Sequence, residues 1–477
     1  MSDLLIASRL EQYRQCQYDA FILQPMPTVE ERIAALKALK QLITQYQVQI
    51  CQAIAADFGC RSASETALLE IFTSLESIND AIKHVKTWMK PQRRHTSLWF
   101  KPAKNSVIPQ PLGVVGIIVP WNYPLFLTIA PMVAALAAGN RVMVKMSEKS
   151  QHLCQLLQHL FVGEFNEEQI CIVAEEGQTG IAFSQLKFDH LIFTGSTTTG
   201  KAVMAAAATN LVPVTLELGG KSPVILTDDY DVNIALSRIL GGKVYNSGQT
   251  CVAPDYMLIP QALESEVIRQ AQAIMAQRFS NIQHPDYTSI IDDASFYRLC
   301  DTTKDAIEQG AKVINLIPQS KPDLQLRKFP LQLICQPTEA MIAMQREIFG
   351  PLLPIVTYQT LQQALDYINA RERPLALYLF SNDKAVQQQV LNQTRSGGVV
   401  INDVMLHVTQ EDLPFGGIGH SGMGHYHGRE GFESLSKMRP VMHQAEFCSG
   451  KYFYAPYGKI GKRLINFIIN RKLSRYE

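Results

Sequence analysis

From Gly113 onward, short apolar segments alternate with stretches that are long enough to form helices. In a first region the apolar segments are residues 114–119, 141–145, 170–173, 190–193 and 214–216, and in a second region, from Pro223 to about Ile401, they include residues 223–226, 353–358 and 398–401. Such alternation predicts β-α-β units, in which each helix returns the chain to a mostly parallel sheet. Two successive regions of this kind predict an α/β protein with two α/β domains.

Residues 114–139 form an almost continuous apolar run that is long enough to span a bilayer. Three prolines at positions 120, 124 and 131 interrupt it, and prolines at this density break a single membrane helix. The run therefore predicts a buried strand over about 113–119, a turn over 120–124, and a helix of small residues that ends at Gly139 and Asn140.

The N-terminal part of the chain carries two helix-start signals. Thr28-Val-Glu-Glu31 has the form of a capping box and precedes apolar residues at helical spacing, which predicts a long helix that ends near Gly59. Residues 62–65 (Ser-Ala-Ser-Glu) predict the start of a second helix that ends before Pro91. Residues 91–111 are basic and lack periodicity, which is typical of a solvated connector.

Length and composition limit the possible classes of protein. With 477 residues, of which 47% are hydrophobic and 18% charged, the chain is long enough for two or three domains, and its net charge of +1 gives no reason to expect a nucleic-acid partner. Nine cysteines without a C-x-x-C pair or zinc-ligand spacing argue against a disulfide framework and a zinc site. Because the N-terminus also lacks the basic and apolar parts of a signal peptide, we expect a cytoplasmic protein.

Four short segments carry most of the chemical information. Residues 120–124 read Pro-Trp-Asn-Tyr-Pro, residues 216–223 read Leu-Glu-Leu-Gly-Gly-Lys-Ser-Pro, residues 246–251 read Asn-Ser-Gly-Gln-Thr-Cys, and residues 347–351 read Glu-Ile-Phe-Gly-Pro. In this order they resemble the aldehyde dehydrogenase superfamily, over about residues 28–440. The resemblance implies an aldehyde dehydrogenase-like α/β fold, with a Rossmann-type cofactor domain, a second α/β catalytic domain and a small oligomerisation strand region. It also implies that residues 91–111 help to form an extended strand in that region.

The resemblance makes Cys251 the candidate nucleophile, although a lone cysteine is more often a small buried apolar residue. To attack an aldehyde it must be a thiolate, and we expect positive potential from a helix N-terminus or a cofactor to lower its pKa. The Asn122 amide and the Cys251 backbone N–H are candidate donors to the oxyanion of the resulting thiohemiacetal. Glu217 is the candidate base for the water that cleaves the thioester, with a pKa raised by its apolar neighbours. Tyr123 is assigned to the substrate pocket.

A candidate cofactor loop follows the predicted strand at 190–193. Its glycines and Ser196 nearly match a Walker A loop, but Ala202 lacks the hydroxyl that would bind magnesium, so we expect a dinucleotide pyrophosphate at the helix start instead. By themselves Lys145 and Glu148 are typical of a surface ion pair. At a strand end, however, the Glu148 carboxylate could bind the adenosine ribose and repel a 2′-phosphate, which favours NAD and leaves NADP possible. The residues assigned to the cofactor, several of them only by the resemblance, are Lys145, Glu148, Gly195, Ser196, Gly200, Leu218, Glu347 (nicotinamide ribose) and Phe349 (nicotinamide ring).

Residues 413–424 form a glycine-rich loop that resembles the substrate tunnel of the class 3 branch of the family. Residues 422–432 and 57–62 look most like bacterial coniferyl-aldehyde dehydrogenases, which act on aromatic aldehydes, whereas other relatives in this branch oxidise medium or long aliphatic aldehydes. The sequence leaves both substrate classes open. His425 and His427 have no third ligand at suitable spacing, so we expect no metal.

The C-terminal tail is basic, and Ile460, Leu464, Phe467 and Ile468 recur at helical spacing, which predicts an amphipathic helix. Such a helix could lie on a membrane surface, but packing on a partner subunit is the preferred interpretation, and the apolar run is too short to span a bilayer. We expect residues 1–90 and 112–222 to bind NAD, 223–420 to form the catalytic domain, 91–111 and 430–445 to mediate oligomerisation, and 446–477 to form the tail. By analogy with class 3 relatives, a homodimer is expected.

Two other functions compete with hydrolytic aldehyde oxidation. A related enzyme could pass the thioester to coenzyme A, but the Glu217 carboxylate suits a route through water. A binding or structural protein could keep the scaffold without catalysis, although the set Asn122, Glu217 and Cys251 is intact.

Overall fold

The computed structural model describes residues 3–473. Its strands are β1 (Gln92–Arg94), β2 (Lys104–Pro111), β3 (Val114–Ile118), β4 (Arg141–Lys145), β5 (Ile170–Val173), β6 (His190–Gly195), β7 (Val214–Leu218), β8 (Pro223–Leu226), β9 (Tyr256–Pro260), β10 (Lys312–Asn315), β11 (Gln332–Cys335), β12 (Leu352–Tyr358), β13 (Ala376–Phe380), β14 (Gly398–Ile401), β15 (Gly422–Met423) and β16 (Ser436–His443). Its α-helices are α1 (Asp3–Leu23), α2 (Val29–Gln45), α3 (Gln47–Phe58), α4 (Ala63–Thr66), α5 (Thr73–Trp88), α6 (Phe126–Ala138), α7 (Gln151–Glu164), α8 (Thr179–Ser184), α9 (Thr197–Ala208), α10 (Val232–Val244), α11 (Glu264–Arg278), α12 (Asp293–Glu308), α13 (Ile342–Gln345), α14 (Leu361–Asn369), α15 (Lys384–Gln393), α16 (Gly428–Ser434) and α17 (Lys459–Leu473).

The first α/β region forms a six-stranded sheet in the order β15-β7-β6-β3-β4-β5. Strands β7, β6, β3, β4 and β5 are parallel, and β15 pairs antiparallel with β7 through Gly422 and Glu217. One face is covered by α2, α3, α5, α6 and α7, and the other by α1, α8 and α9, so both faces of the sheet are buried. The predicted parallel sheet is confirmed, and β6 and β7 extend to Gly195 and Leu218, two residues beyond the predicted ends.

The second α/β region forms a seven-stranded sheet in the order β10-β11-β12-β9-β8-β13-β14. All of its pairings are parallel except that of β10 with β11. Only Gly219–Ser222 separate β7 of the first sheet from β8 of the second, so the two sheets are joined close to Glu217. This connection places the ends of both sheets next to one site.

A third sheet of three antiparallel strands has the order β1-β2-β16. Strands β2 and β16 pair over eight residues, from Pro111 opposite Ser436 to Lys104 opposite His443. The interpretation of residues 91–111 as a solvated connector is therefore wrong, because long-range pairing with β16 orders a segment that has no periodicity of its own. The extended strand implied by the family resemblance is present here.

The N-terminal helices agree with their start signals. Thr28 forms the predicted capping box with Glu31, and the Ser62 side chain accepts the backbone N–H of Glu65. The predicted long helix is interrupted at Tyr46, and its second part, α3, ends at Gly59 with φ of 82°. Helix α1 was not predicted, because its apolar residues are not concentrated on one face. Between α3 and α5 the chain forms α4 and a π-helical turn over Ala67–Phe72.

The apolar run and the tail have the predicted local structures. Strand β3 is followed by a turn and by α6, which is buried along its whole length and ends at the left-handed Gly139. The tail forms α17, in which Ile460 and Phe467 are exposed, and residues 474–477 of the predicted tail lie outside the described residues. Within residues 3–473 no helix combines the length and apolar character needed to cross a bilayer.

Candidate active site

Cys251 lies in a loop between α10 and β9 whose backbone has an uncommon shape. Asn246 and Ser247 are buried and have φ of 51° and 50°, and Gly248 has φ of 72°. A Cβ on Gly248 would lie 2.4 Å from the carbonyl oxygen of Gly350, so only glycine fits there. The motif at 246–251 therefore shapes a turn that presents the cysteine.

Polar side chains of the motif hold this turn in place. The Gln249 amide donates to the Asn246 and Ser289 carbonyl oxygens at 2.9 and 3.1 Å and accepts the Ile291 N–H at 3.0 Å. The Ser247 hydroxyl donates to the Thr288 carbonyl oxygen. Because these groups are buried and bonded on several sides, the Cys251 loop is rigid.

The segment after β3 packs against the Cys251 loop. The Asn122 amide nitrogen donates to the Gln249 carbonyl oxygen at 3.2 Å, and the Tyr123 hydroxyl bonds to the Thr250 hydroxyl at 2.8 Å. Both Asn122 and Tyr123 are buried. The structure thus brings these two predicted residues next to Cys251.

A cluster of buried charges lies behind Asn122, and we call Arg61, Glu65 and Glu70 the Arg61 cluster. Arg61 Nη1 lies 2.9 Å from Glu70 Oε1 and also donates to the Asn122 carbonyl oxygen at 2.9 Å. Glu65 accepts the backbone N–H of Asn246 at 2.8 Å. The cluster therefore contacts both segments that flank the nucleophile. Sequence reasoning assigned Glu65 only to helix capping and missed the cluster.

Glu70 also anchors the start of α6. Its Oε2 accepts the backbone N–H groups of Leu125 and Phe126 at 2.7 and 3.2 Å. Its pKa is raised, because burial outweighs the opposing effects of Arg61 and of these two hydrogen bonds. The Arg61 guanidinium lies over the Tyr123 ring, 4.8 Å from its centroid.

Glu217 lies near the end of β7. It is 3% exposed, and neither carboxylate oxygen has a hydrogen-bond partner among the described residues. Burial raises its pKa well above the ordinary value of 4.5, in the direction predicted from its apolar neighbours. Because neither oxygen is engaged with a described residue, the Glu217 carboxyl group is free to exchange a proton with a reactant.

The pKa of the Cys251 thiol differs from the expectation. Burial, followed by the negative charges of Glu347 and Glu217, raises the pKa of its thiol to about 12. The expected lowering of this pKa is therefore wrong for the polypeptide alone, since no α-helix begins at Cys251 and the nearby ionisable groups are acidic. The thiolate requires positive charge from outside the chain.

A cavity of about 400 Å³ reaches Cys251 and is lined mainly by apolar and aromatic groups. Phe126 of α6, Val404, Phe415 and Tyr426 contribute to its walls. His427 is buried against Phe126 and stacks on Phe415 with a centroid distance of 5.1 Å. In the described part of the chain, no group of three or more His, Cys, Asp and Glu side chains is placed to hold a metal ion.

The predicted cofactor loop joins β6 to α9. Ser196 caps α9 by accepting the Thr199 N–H at 3.2 Å, and Gly195 ends β6. A Cβ on Gly200 would lie 2.6 Å from the Leu218 side chain, so glycine lets the first turn of α9 approach β7. The structure thus brings Gly195, Ser196, Gly200 and Leu218 together.

Lys145 and Glu148 do not pair with each other. Lys145 is buried at the end of β4 and pairs with Glu175 at 2.5 Å, whereas Glu148 is exposed. The Glu175 carboxylate also accepts the N–H groups of Thr179 and Gly180 at the start of α8. The interpretation of Lys145 and Glu148 as a surface pair is therefore wrong. Glu175 was missed because it lies in the loop between β5 and α8, far from Lys145 in the sequence.

Glu347 reaches the same region from the second sheet. A Cβ on Gly219 would lie 2.1 Å from Glu347 Oε2, and Glu347 Oε1 is buried without a described partner. Burial, followed by the charge of Asp255, raises its pKa to about 8. Phe349 has φ of 48° and meets Trp121 edge-on, with a centroid distance of 5.4 Å.

Comparison with known proteins agrees with this arrangement. Residues 20–441 match the model of the aldehyde dehydrogenase family. The chain is 50% identical to a probable coniferyl aldehyde dehydrogenase of Pseudomonas aeruginosa, over 96% of each protein, and 38% identical to the dimeric NADP-preferring aldehyde dehydrogenase of Rattus norvegicus, over 89% of this chain and 92% of the relative. The substrate-bound structure of Staphylococcus aureus AldH superposes with a TM-score of 0.90 at 35% identity, over 96% of this chain and 99% of that one.

The chain belongs to the aldehyde dehydrogenase family. It is an NAD(P)-dependent enzyme that oxidises an aldehyde to the carboxylic acid.

Proposed function

We propose that this enzyme oxidises aromatic aldehydes of the coniferaldehyde type through a covalent intermediate on Cys251. One observation supports the proposal above the others. Cys251 lies at an apolar cavity, and the buried carboxylate of Glu217, which has no described partner, lies close enough to raise its pKa. A nucleophile at a cavity, with an uncommitted base near it, is what acyl transfer to water requires.

In the first half of the reaction, Cys251 Sγ bonds to the aldehyde carbon and gives a thiohemiacetal. Its oxyanion accepts hydrogen bonds from the Asn122 amide and the Cys251 backbone N–H. Asn122 already reaches the Cys251 loop and is fixed from behind by Arg61. Bound NAD(P) would supply the hydride acceptor for the thiohemiacetal carbon and the positive charge that favours the thiolate.

In the second half, water attacks the carbonyl carbon of the thioester on Cys251. Glu217 takes a proton from that water, and the carbon–sulfur bond breaks to release the carboxylic acid and regenerate Cys251. A raised pKa improves Glu217 as a base because the carboxylate then binds a proton more strongly. The apolar setting supplies this increase without a neighbouring acid.

The residues around β6, β7 and Glu347 fit a dinucleotide. Because Gly200 has no side chain, the start of α9 can pack closely on Leu218. The buried Glu347 Oε1 lacks a described partner. Gly195, Ser196, Gly200 and Leu218 would hold the pyrophosphate region, Lys145 and Glu148 the adenosine ribose, and Glu347 and Phe349 the nicotinamide riboside. We propose NAD as the preferred cofactor, because the exposed Glu148 carboxylate disfavours a 2′-phosphate.

Further proposals concern organisation and assembly. Residues 1–90 and 112–222 form the cofactor domain, 223–420 the catalytic domain, 91–111 and 430–445 the oligomerisation segment, and 446–477 the tail. A homodimer is supported by the dimeric rat relative and by the separate β1-β2-β16 sheet. Nine unpaired cysteines support a cytoplasmic location.

The proposal is tested by NADH or NADPH production with coniferaldehyde, benzaldehyde, hexanal and a long-chain aldehyde, each with NAD and with NADP. We expect the highest kcat/KM with coniferaldehyde and NAD, without coenzyme A. Strict dependence on coenzyme A would overturn the hydrolytic route, and preference for the long-chain aldehyde would overturn the substrate class. Cys251→Ala is the matched blank.

A further inference from the structure

The substrate cavity has a polar end that lies away from Cys251. Helix α10 lines one wall through Ser237, Arg238 and Gly241, and the chain then continues through Tyr245 to the Cys251 loop. At about 1.5 Å per residue, the part of α10 from Ser237 to its end spans about 10 Å. The cavity thus leads from exposed arginines to the nucleophile over a length that suits an aromatic ring with a short side chain.

Arg278, the last residue of α11, crosses this wall beside Gly241. Its Nη2 donates to the Ser237 carbonyl and hydroxyl oxygens at 2.7 and 2.9 Å. A Cβ on Gly241 would lie 3.4 Å from Arg278 Nη1, so the missing side chain leaves space directly beside this nitrogen. Nη1 donates no hydrogen bond to any residue between 3 and 473.

The neighbouring arginine has a different environment. Arg238 donates to the Asn402 carbonyl oxygen and to the Tyr230 hydroxyl, and its Nε lies 3.9 Å from Asp403. No ion pair joins Arg278 to a carboxylate of the described chain. Of the two arginines at the cavity mouth, only Arg238 has a carboxylate partner among the described residues, so the charge of Arg278 is the uncompensated one.

Between this end and Cys251 the cavity wall is apolar. Phe126, Leu127, Val404 and Phe415 line it, and they suit the faces of a flat hydrocarbon body. An aliphatic chain that ended at Arg278 would displace water from a charged group and give no hydrogen bond in return. A ring oxygen at this position would restore that bond.

We propose that Arg278, together with the space left by Gly241, forms a distal subsite for the ring hydroxyl or methoxyl oxygens of an aromatic aldehyde. This subsite selects oxygenated aromatic aldehydes over unsubstituted ones. The inference rests on the proposed function and deepens it, because it assigns substrate choice to residues that take no part in bond formation.

The test compares coniferaldehyde with cinnamaldehyde, which has the same skeleton without ring oxygens. The measured quantity is the ratio of their kcat/KM values. In Arg278→Met we expect this ratio to fall about 10-fold, mainly through a higher KM for coniferaldehyde. Gly241→Ala places a methyl group beside Nη1 and should lower the ratio in the same direction, without a helix-breaking change.

Arg238→Met is the matched control, since it removes an arginine at the same cavity mouth whose guanidinium already pairs with Asp403. Its ratio should stay within about 2-fold of the wild type. An equal loss with both substrates in Arg278→Met, or no change in the ratio, would overturn the subsite while leaving aldehyde oxidation intact. A wild-type protein that oxidises none of the aldehydes would instead overturn the proposed function, and the subsite with it.

Discussion

Two buried acidic residues, Glu70 and Glu217, show how differently one type of side chain can be used. Glu70 and Glu217 are exposed by 0% and 3%, and burial raises the pKa of each. Glu70 has an arginine partner and two backbone N–H donors, whereas Glu217 has no described partner for either oxygen. Burial is therefore common to both residues, and the partners distinguish them.

The difference separates scaffold from reaction centre. The Arg61 cluster joins α4, the start of α6 and the Cys251 loop, so its charges are compensated within the fold. Glu217 and Glu347 retain buried oxygens without partners, and such groups lower stability unless a ligand or reactant satisfies them. Variants of the Arg61 cluster should therefore mainly lower stability, whereas variants of Cys251 and Glu217 should mainly lower turnover.

Replacement of the nucleophile should give the largest effect. Cys251→Ala removes the proposed nucleophile, so we expect turnover to fall on the order of 10⁴- to 10⁶-fold. The free energy of unfolding and NAD binding should change little. NADH production and calorimetric NAD titration measure these quantities, with Cys300→Ala, remote on α12, as the control. Retained turnover would contradict the assignment of Cys251.

Glu217→Gln should give the second largest effect on turnover. Without a base for water, we expect steady-state turnover to fall about 10²- to 10⁴-fold, while one equivalent of NADH per site still forms in a burst. Rapid-mixing absorbance separates the burst from the steady state. A normal steady-state rate would place the base elsewhere and would remove the contrast between Glu217 and Glu70.

Local sequence patterns predict much of the architecture but little of this contrast. Strands β4, β5, β8 and β14 have the predicted bounds, because each is a short apolar run between turn signals. The local pattern did not indicate strand β2, because this strand is held by pairing with β16, which lies more than 300 residues further along the chain. Periodicity in the sequence indicates which face of a helix or strand is buried, but it does not indicate pairing with a distant strand.

The candidate site was predicted in a similar way. Motifs indicated Asn122, Glu217 and Cys251, and the structure places Asn122 on the Cys251 loop. They could not indicate that Lys145 pairs with Glu175 or that Arg61 contacts Asn122, because each contact joins segments with no shared pattern. The raised pKa of Cys251 follows first from burial and then from the negative charges of Glu347 and Glu217, and only the fold brings these together.

The Arg61 cluster should respond mainly in stability. Arg61→Met leaves Glu70 buried without its cation, so we expect the free energy of unfolding to fall by about 3–5 kcal/mol. Urea unfolding measures this change. The control is Arg429→Met, which breaks an exposed pair with Glu433 at 3.0 Å and should cost less than about 1 kcal/mol. Equal effects of the two variants would show that the buried cluster is not a scaffold element.

The smallest effect is a pH dependence of stability. The pKa of Glu217 in the folded protein is raised above its ordinary 4.5, so between these two pKa values the folded state holds a proton that the unfolded state has released. Stability of the wild type should therefore fall as pH rises above about 4.5, by at most about 1.4 kcal/mol per pH unit for one proton. Glu217→Gln lacks this loss and should become more stable than the wild type as pH rises.

Urea unfolding of both proteins at a series of pH values from 5 to 8 measures the difference. Glu347→Gln provides a matched comparison, because a folded pKa of about 8 confines its gain to the interval between about 4.5 and about 8, with no further rise above that. Glu70→Gln should be less stable than the wild type throughout this range, since it removes the partner of Arg61. A stability difference between Glu217→Gln and the wild type that stays constant across this range would contradict the raised pKa of Glu217, and the assignment of Glu217 to the reaction centre would lose that support.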